Sequence, residues 1–382
     1  MKVKTLLKAF NTFFAIIGVF FISVLLFIYL SNGPGLTTLL SVMGLVETES
    51  LYEIDASQLF TGASRGVVDA LNDPYSKYLS KDSYEELQLR LNAEFGGIGV
   101  YVLQDAEGSL KIISPIKGTP AYKEGLKHGD IIIRINGDST INMTQDEAVA
   151  LMRGDPGTQL ELGVYRESDG KEYDFQIIRE IINVPSVEDQ VIEDNPEIGY
   201  IRLNQFHAHS AGEMVDSVNR LINEDKIKGL ILDLRNNGGG EFGASISVAS
   251  IFLDGEEVVS EVDAKGNKTV HRASSGKIDL PLVVLVNQDS ASAAEILAGA
   301  LQDNKRALLL GQKTFGKGLV QTLYPLPDGG ALKLTTRKYF TPEGTDINEI
   351  GIYPDYEVEN DPESSMDLQL EKAREMLKEQ IF

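Results

Sequence analysis

The chain of 382 residues has no cysteine, no tryptophan, only four histidines, and 35 basic against 57 acidic residues. Without cysteine there can be no disulfide and no lipoprotein anchor, so stability must come from ordinary hydrophobic cores. None of His128, His207, His209 and His271 sits in a context suggesting a catalytic base. His207 and His209 could share a strand face, but with no cysteine and no adjacent carboxylate motif no metal is assigned. Both read as surface residues of a loop after Ile198–Leu203. The net charge of −22 argues against a nucleic-acid partner, because phosphate binding relies on basic patches.

The N-terminus also lacks charge over a long run. From Ala9 to Leu30 the sequence is uncharged and rich in Phe, Ile, Leu and Val, long enough as a helix to cross a hydrocarbon core. Lys2, Lys4 and Lys8 precede it, and no Lys or Arg follows before Arg65. This bias predicts a cytoplasmic N-terminus and an extracytoplasmic body. A cleaved signal peptide would need small residues after the apolar core, yet no alanine occurs between Ala15 and Ala56. The expectation is an uncleaved, single-pass signal anchor in the cell membrane.

Two segments of the C-terminal third carry the chemistry. In Asn287-Gln288-Asp289-Ser290-Ala291-Ser292-Ala293-Ala294-Glu295, an apolar run hands over to a helical stretch at Ser292, beside free backbone N–H groups and the positive end of a helix dipole. In Gly316-Lys317-Gly318-Leu319-Val320-Gln321 a lysine lies between two glycines. Serine and lysine can serve as nucleophile and base in acyl transfer. Ser292-Ala293-Ala294-Glu295 is equally a capping box, which needs no chemistry. Gly311 to Gly318 nearly fits a phosphate-binding loop, but Gly318 has no hydroxyl for magnesium. A lysine base must be desolvated to lose its proton; Phe315, Leu319 and Val320 are apolar, and no acid occurs between Arg306 and Asp328. Gly229–Leu234 reads as a buried strand followed by Asn237-Gly238-Gly239-Gly240, whose N–H groups could receive an oxyanion together with that of Ala293; a flexible loop is the alternative. Asp233 and Arg235 read as braces of this loop.

Five segments, Asp73-Pro74-Tyr75-Ser76-Lys77-Tyr78-Leu79, Phe95-Gly96-Gly97-Ile98-Gly99-Val100, Asp233-Leu234-Arg235-Asn236-Asn237-Gly238-Gly239-Gly240, Ser290 to Ile296 and Thr314 to Gln321, occur in that order. Together they resemble the C-terminal processing peptidases, or tail-specific proteases, over about Leu36 to Leu377. The resemblance implies Ser292 as nucleophile, Lys317 as general base, Gln321 as the residue orienting it, and an oxyanion hole from Gly238 or Gly239 with Ala293. The run Gly129-Asp130-Ile131-Ile132-Ile133-Arg134-Ile135-Asn136-Gly137 resembles a PDZ domain, with Gly96, Gly97, Ile98 and Gly99 cradling a terminal carboxylate; a PDZ fold that only spaces the catalytic domain is the alternative. In relatives an arginine at the place of Arg153 is implicated in coupling the two domains, against the plainer reading of a solvated helix-end charge.

The expected organisation is a cytoplasmic N-terminus and transmembrane anchor over 1–34, a helical arm over 35–92, a PDZ domain over 93–180, a protease core over 181–365 and a C-terminal helix over 366–382. Alternation of apolar strands and helices beyond Val184 predicts an α/β core, which the family likeness makes crotonase-like or ClpP-like, beside an α+β PDZ domain. The amphipathic tail helix suits contact with a second subunit, giving a homodimer. The functional expectation is a membrane-anchored extracytoplasmic serine endopeptidase acting without a cofactor on proteins with apolar C-terminal tails; the alternative is a catalytically inactive PDZ adaptor for exported proteins.

Overall fold

The computed structural model describes residues 13–20, 22–23, 35–91, 94–105, 108–360 and 366–381. The chain divides into two units, residues 1–78 and 79–382. The first contains α1 (Gly35–Glu49) and α2 (Ala56–Asp69). Asp55 starts α2 with a reciprocal cap: its carboxylate accepts the Gln58 N–H at 2.8 Å, and the Gln58 side chain accepts the Asp55 N–H at 3.2 Å. A short strand, β1 (Lys77–Leu79), spans the boundary in sequence.

The expected transmembrane helix is corrected here. Of Ala9–Leu30, the structure describes only residues 13–20 and 22–23, which are helical; the rest lies outside the described residues. No helix among the described residues is long and apolar enough to cross a membrane. The signal anchor, the membrane as a partner, the cell-membrane location and the membrane-anchored form of the function are therefore not carried further.

The second unit opens with α3 (Lys81–Leu91), β2 (Glu94–Gly97) and β3 (Val100–Gln104), and continues through β4 (Leu110–Pro115), α4 (Pro120–Lys123), β5 (Ile131–Ile135), β6 (Asp138–Ser139), α5 (Gln145–Met152), β7 (Gln159–Arg166), β8 (Lys171–Ile178) and β9 (Glu180–Asn183). The sheet order is β3-β4-β5-β7-β8, with β6 on β5, so β3 is an edge strand. Asn136 and Gly137 join β5 to β6 with φ of 51° and 88°, the left-handed pair that a tight hairpin requires. Thr144 caps α5 in a second capping box with Glu147. Ile112, Ile132, Ile135, Leu160, Leu162, Val164 and Ile177 fill the core between sheet and helix. The chain enters and leaves this domain through a two-stranded ribbon in which β2 pairs antiparallel with β9.

The core follows as β10 (Val187–Ile192), β11 (Asn195–Leu203), α6 (Ser210–Asn223), β12 (Gly229–Asp233), α7 (Phe242–Phe252), β13 (Glu257–Asp263), β14 (Lys268–Arg272), β15 (Leu282–Val286), α8 (Ala293–Asp303), β16 (Leu308–Gly311), β17 (Leu319–Pro325), β18 (Ala331–Phe340), β19 (Tyr356–Glu357) and α9 (Leu368–Ile381). One sheet runs β10-β11-β12-β15-β16-β19 and is parallel from β11 to β19. Every residue of β12 and β15 is buried, as expected of strands covered on both faces. Leu230 and Leu232 pack in the cluster that holds Met214 and Val218 of α6, Val248 of α7 and Leu297 of α8. Ile231 faces the other way, in the cluster of Ala373 and Leu377 from α9. The α/β core is thus as expected from the alternation of apolar segments. The antiparallel ladder of β17, β18, β13 and β14 was not anticipated from the sequence.

One buried ion pair fixes the smaller domain. Asp130 is fully buried and takes two bonds from Arg166, both of 2.7 Å. Arg166→Met would leave that carboxylate buried and uncompensated, and should cost about 3–5 kcal/mol, read as a lower denaturant midpoint for this domain.

Candidate active site

Ser292 stands where β15 turns into α8. The two other capping-box residues have extended backbone: Asp55 has φ −87° and ψ 158°, and Thr144 φ −73° and ψ 159°. Ser292 instead has φ 56° and ψ −115°. For a non-glycine residue this conformation costs on the order of 1–3 kcal/mol. A plain cap needs no such strain, so the observation favours a nucleophile held on a sharp strand-to-helix corner over the simple capping reading.

Glu295 shapes the site most. It is fully buried, and its two oxygens take four bonds. Oε1 accepts the Thr314 hydroxyl at 2.5 Å and the Gly316 N–H at 2.7 Å. Oε2 accepts the N–H of Ser292 at 2.8 Å and of Lys317 at 2.9 Å. The residue that the sequence shows as the acid of a capping box therefore ties the serine to the lysine loop. A further bond joins Phe315 N–H to the Ser290 carbonyl at 3.0 Å. The glycines flanking Lys317 are required by packing: a Cβ on Gly316 would lie 2.8 Å from Gly351 N, and one on Gly318 2.7 Å from Asn348 N.

Lys317 is half-buried, and its pKa is lowered from the ordinary 10.5, first by loss of solvent and then by the charge of Lys333, with Glu295 opposing. An acid does therefore lie near the amine, contributed by α8 and absent from the lysine's own stretch of sequence. Its oxygens are engaged by four donors, and desolvation wins.

The segment after β12 packs against this corner. Asn237 is buried, sends its amide to the Leu203 carbonyl at 2.7 Å, receives the Gly239 N–H on its side-chain oxygen at 2.9 Å, and receives the Ala291 N–H on its own carbonyl at 2.9 Å. A Cβ on Gly239 would lie 2.8 Å from Ala291 O and 2.9 Å from Ser292 Cβ, and one on Gly238 would meet open space. With the Gly239 N–H already engaged, Gly238 is the better-placed partner for Ala293 as oxyanion donor. Arg235 binds the Asp233 carboxylate and reaches Asp367 at 2.9 Å and Gln369 at 3.0 Å, bracing the loop against the start of α9. The Phe206 carbonyl accepts the Glu241 N–H at 2.9 Å, while the Phe206 N–H reaches Gly239 O at 3.0 Å. His207, expected at the surface, is instead buried at 1 % exposure beneath this loop.

A cavity of about 330 Å³ is lined by Ser292, Ala293, Gln321 and Tyr339 with the apolar Leu91, Phe242, Ile296, Leu319 and Val320. Lys317 and Gly238 are not in its lining. Gln321 donates to the Leu319 carbonyl at 3.2 Å. Tyr339, which the sequence did not single out, sits near the end of β18 and belongs to none of the motifs read there.

In the smaller domain, Gly96 and Gly97 belong to the ladder with β9, and Ile98 and Gly99 form the loop outside any strand. The Ile98 carbonyl accepts the Ala121 N–H and the Gly99 carbonyl the Ile116 N–H, both at 2.9 Å. Gly99 has φ 77°, and a Cβ there would lie 2.5 Å from Thr119. Arg153 ends α5 with its guanidinium 5.0 Å from the Phe95 ring centre, a cation–π contact onto the strand that leads into this loop.

Two outcomes follow. Glu295→Gln keeps the shape, but either amide orientation turns an NH2 toward two donors; cleavage should fall at least a hundredfold, by loss of transition-state geometry, in a steady-state assay. Lys317→Met should be inactive yet more heat-stable at neutral pH. Because the folded lysine pKa lies below 10.5, the wild type loses stability as pH falls from 10.5 through the folded value. The advantage of the variant should therefore shrink as pH approaches 10.5 in thermal melts.

Residues 197–358 match the profile of peptidase family S41, residues 86–165 that of the PDZ domain, and residues 33–83 that of the activating protease CtpB N-terminal domain. The chain is 41% identical over 316 residues to a carboxyl-terminal-processing protease of Picosynechococcus, covering 80% of this chain and 76% of that protein. It is 38% identical over 316 residues to the carboxy-terminal processing protease CtpA of Bacillus subtilis, covering 82% and 67%. Among solved structures it is similar to the photosystem II D1 C-terminal processing protease, at 31% identity and a TM-score of 0.50 over 83% of this chain and 86% of that one. The strained serine corner, its buried carboxylate tie to a desolvated lysine and these likenesses agree: the chain belongs to peptidase family S41, as a serine-type C-terminal processing peptidase with a PDZ domain.

Proposed function

We propose that Ser292 is the nucleophile and Lys317 the general base of an endopeptidase that cuts proteins presented by their C-terminal tails. The observation that carries this reading is the Glu295 carboxylate shared between the Ser292 and Lys317 N–H groups. Ser292 Oγ attacks the scissile carbonyl and its proton passes to the neutral Lys317 amine. The oxyanion is received by the Gly238 and Ala293 N–H groups. Protonated Lys317 then gives its proton to the leaving amine as the C–N bond breaks, and water, deprotonated by the same amine, hydrolyses the acyl-enzyme. Gln321, which lines the cavity beside Ser292, is the residue that orients that amine. The apolar lining beside Ser292 suits an apolar substrate side chain.

Tail recognition rests on the edge position of β3. A peptide can add to that edge as a further strand beside α5, its terminal carboxylate meeting the loop Gly96, Gly97, Ile98 and Gly99. The Arg153–Phe95 contact supports a gating role for Arg153, because a ligand in that loop would bear on Phe95. The adaptor alternative requires a site without a working nucleophile or base, and finds no support in a strained serine tied to a desolvated lysine.

Ser292→Ala and Lys317→Ala should each abolish cleavage of a tailed substrate, with the double variant no worse than either, since a nucleophile and its base act as one unit. A serine-directed covalent probe should label the wild type and not Ser292→Ala. Near wild-type turnover by either single variant would overturn the assignment.

A further inference from the structure

One buried side chain outside the proposed dyad reaches both of its residues. Tyr339, in β18, is 2% exposed and lines the same cavity as Ser292, Ala293 and Gln321. Its hydroxyl donates to the main-chain carbonyl of Lys317 and lies 3.2 Å from that of Ser292. The Tyr339 N–H bonds the Gly318 carbonyl at 3.0 Å, so the strand also grips the lysine loop through its backbone.

The arrangement complements that of Glu295. The N–H of a residue belongs to the peptide plane before its Cα and the carbonyl to the plane after it. Glu295 holds the N–H of Ser292 and of Lys317, and the Tyr339 hydroxyl, with one proton to give, holds the carbonyl of Lys317 and stands 3.2 Å from that of Ser292. Both planes flanking the Lys317 Cα are then held, which fixes φ and ψ there and therefore the direction of its side chain. The Ser292 carbonyl also accepts the N–H groups of Glu295 and Ile296 at 2.9 and 3.0 Å, so the phenol acts chiefly on the lysine loop, where the other hold on that peptide plane is the 3.3 Å bond from Gly318 N–H to the Asn348 side chain.

We propose that Tyr339 is a positioning residue for the peptidase reaction, its hydroxyl setting the reach between the Ser292 nucleophile and the Lys317 base. The proposal rests on the Ser292/Lys317 reading. Tyr339 has no proton-transfer part: burial and the nearby Glu295 carboxylate push its phenol pKa up, so it stays a donor.

The test is Tyr339→Phe in the full chain, compared with wild type and Ser292→Ala on one tailed substrate between pH 6 and pH 10. The expected result is a fall in kcat of about tenfold or more with KM changed by less than about threefold. The acid limb of the kcat profile should move to higher pH, as a freed lysine loop lets solvent reach the amine, so the deficit should narrow at alkaline pH. Labelling of Ser292 by a fluorophosphonate should slow in parallel. A kcat within twofold of wild type would overturn the proposal. So would activity and thermal midpoint falling together with an unmoved acid limb, which would leave the hydroxyl a stability role only. Cleavage that persists in Ser292→Ala would instead sink the dyad reading, an outcome separate from either.

Discussion

Everything in the catalytic region leans on one buried carboxylate. Glu295 has no exposed surface, and its burial is tolerable because each oxygen receives two hydrogen bonds. Those four donors come from two places far apart in sequence, the serine corner and the Thr314–Lys317 loop. The same carboxylate that completes a helix cap thus joins two chain segments that otherwise share only main-chain and Tyr339 contacts. It also places a negative charge near the amine that the proposed mechanism requires to be neutral. The site works against that charge by keeping its lone pairs occupied and by desolvating Lys317.

Around this tie the fold supplies two sheets with different tasks. The parallel sheet delivers the ends of β12 and β15, and so the Asn237–Gly239 segment and Ser292, to one edge, where strand termini in α/β folds leave a crevice. The antiparallel ladder delivers Gln321 and Tyr339 from the other side. Glycines at 239, 316 and 318 let these parts approach within distances that a Cβ would forbid. The PDZ domain is joined to the core through the β2–β9 ribbon, and the strand leading into the Ile98–Gly99 loop is half of that ribbon. A tail held at that loop, as proposed, would act close to the points where the chain enters and leaves the domain.

Much of this was legible in the residues. The apolar runs of β12 and β15 announced buried parallel strands, the Asn-Gly turn after β5 announced a hairpin, and the Ser-Ala-Ser and Gly-Lys-Gly segments pointed to the proposed dyad. The uncharged run from Ala9 to Leu30 suggested a membrane span, and the described residues contain no helix long and apolar enough to be one. His207 was placed at the surface because a polar residue in a loop ordinarily is, whereas the bridge between Phe206 and Gly240 carries it inward.

The sequence by itself determined the local events: which apolar segments form the strands and helices of the parallel core, where the tight turns fall, and that serine and lysine of the right kind are present. These follow from near-neighbour sterics and periodicity, which act over a few residues. Only the tertiary structure decided that Glu295 is more than a cap and that Tyr339 reaches the carbonyls of Ser292 and Lys317. Each of these depends on a hydrogen bond between groups distant along the chain, and no local pattern encodes which distant donor a buried acceptor will meet.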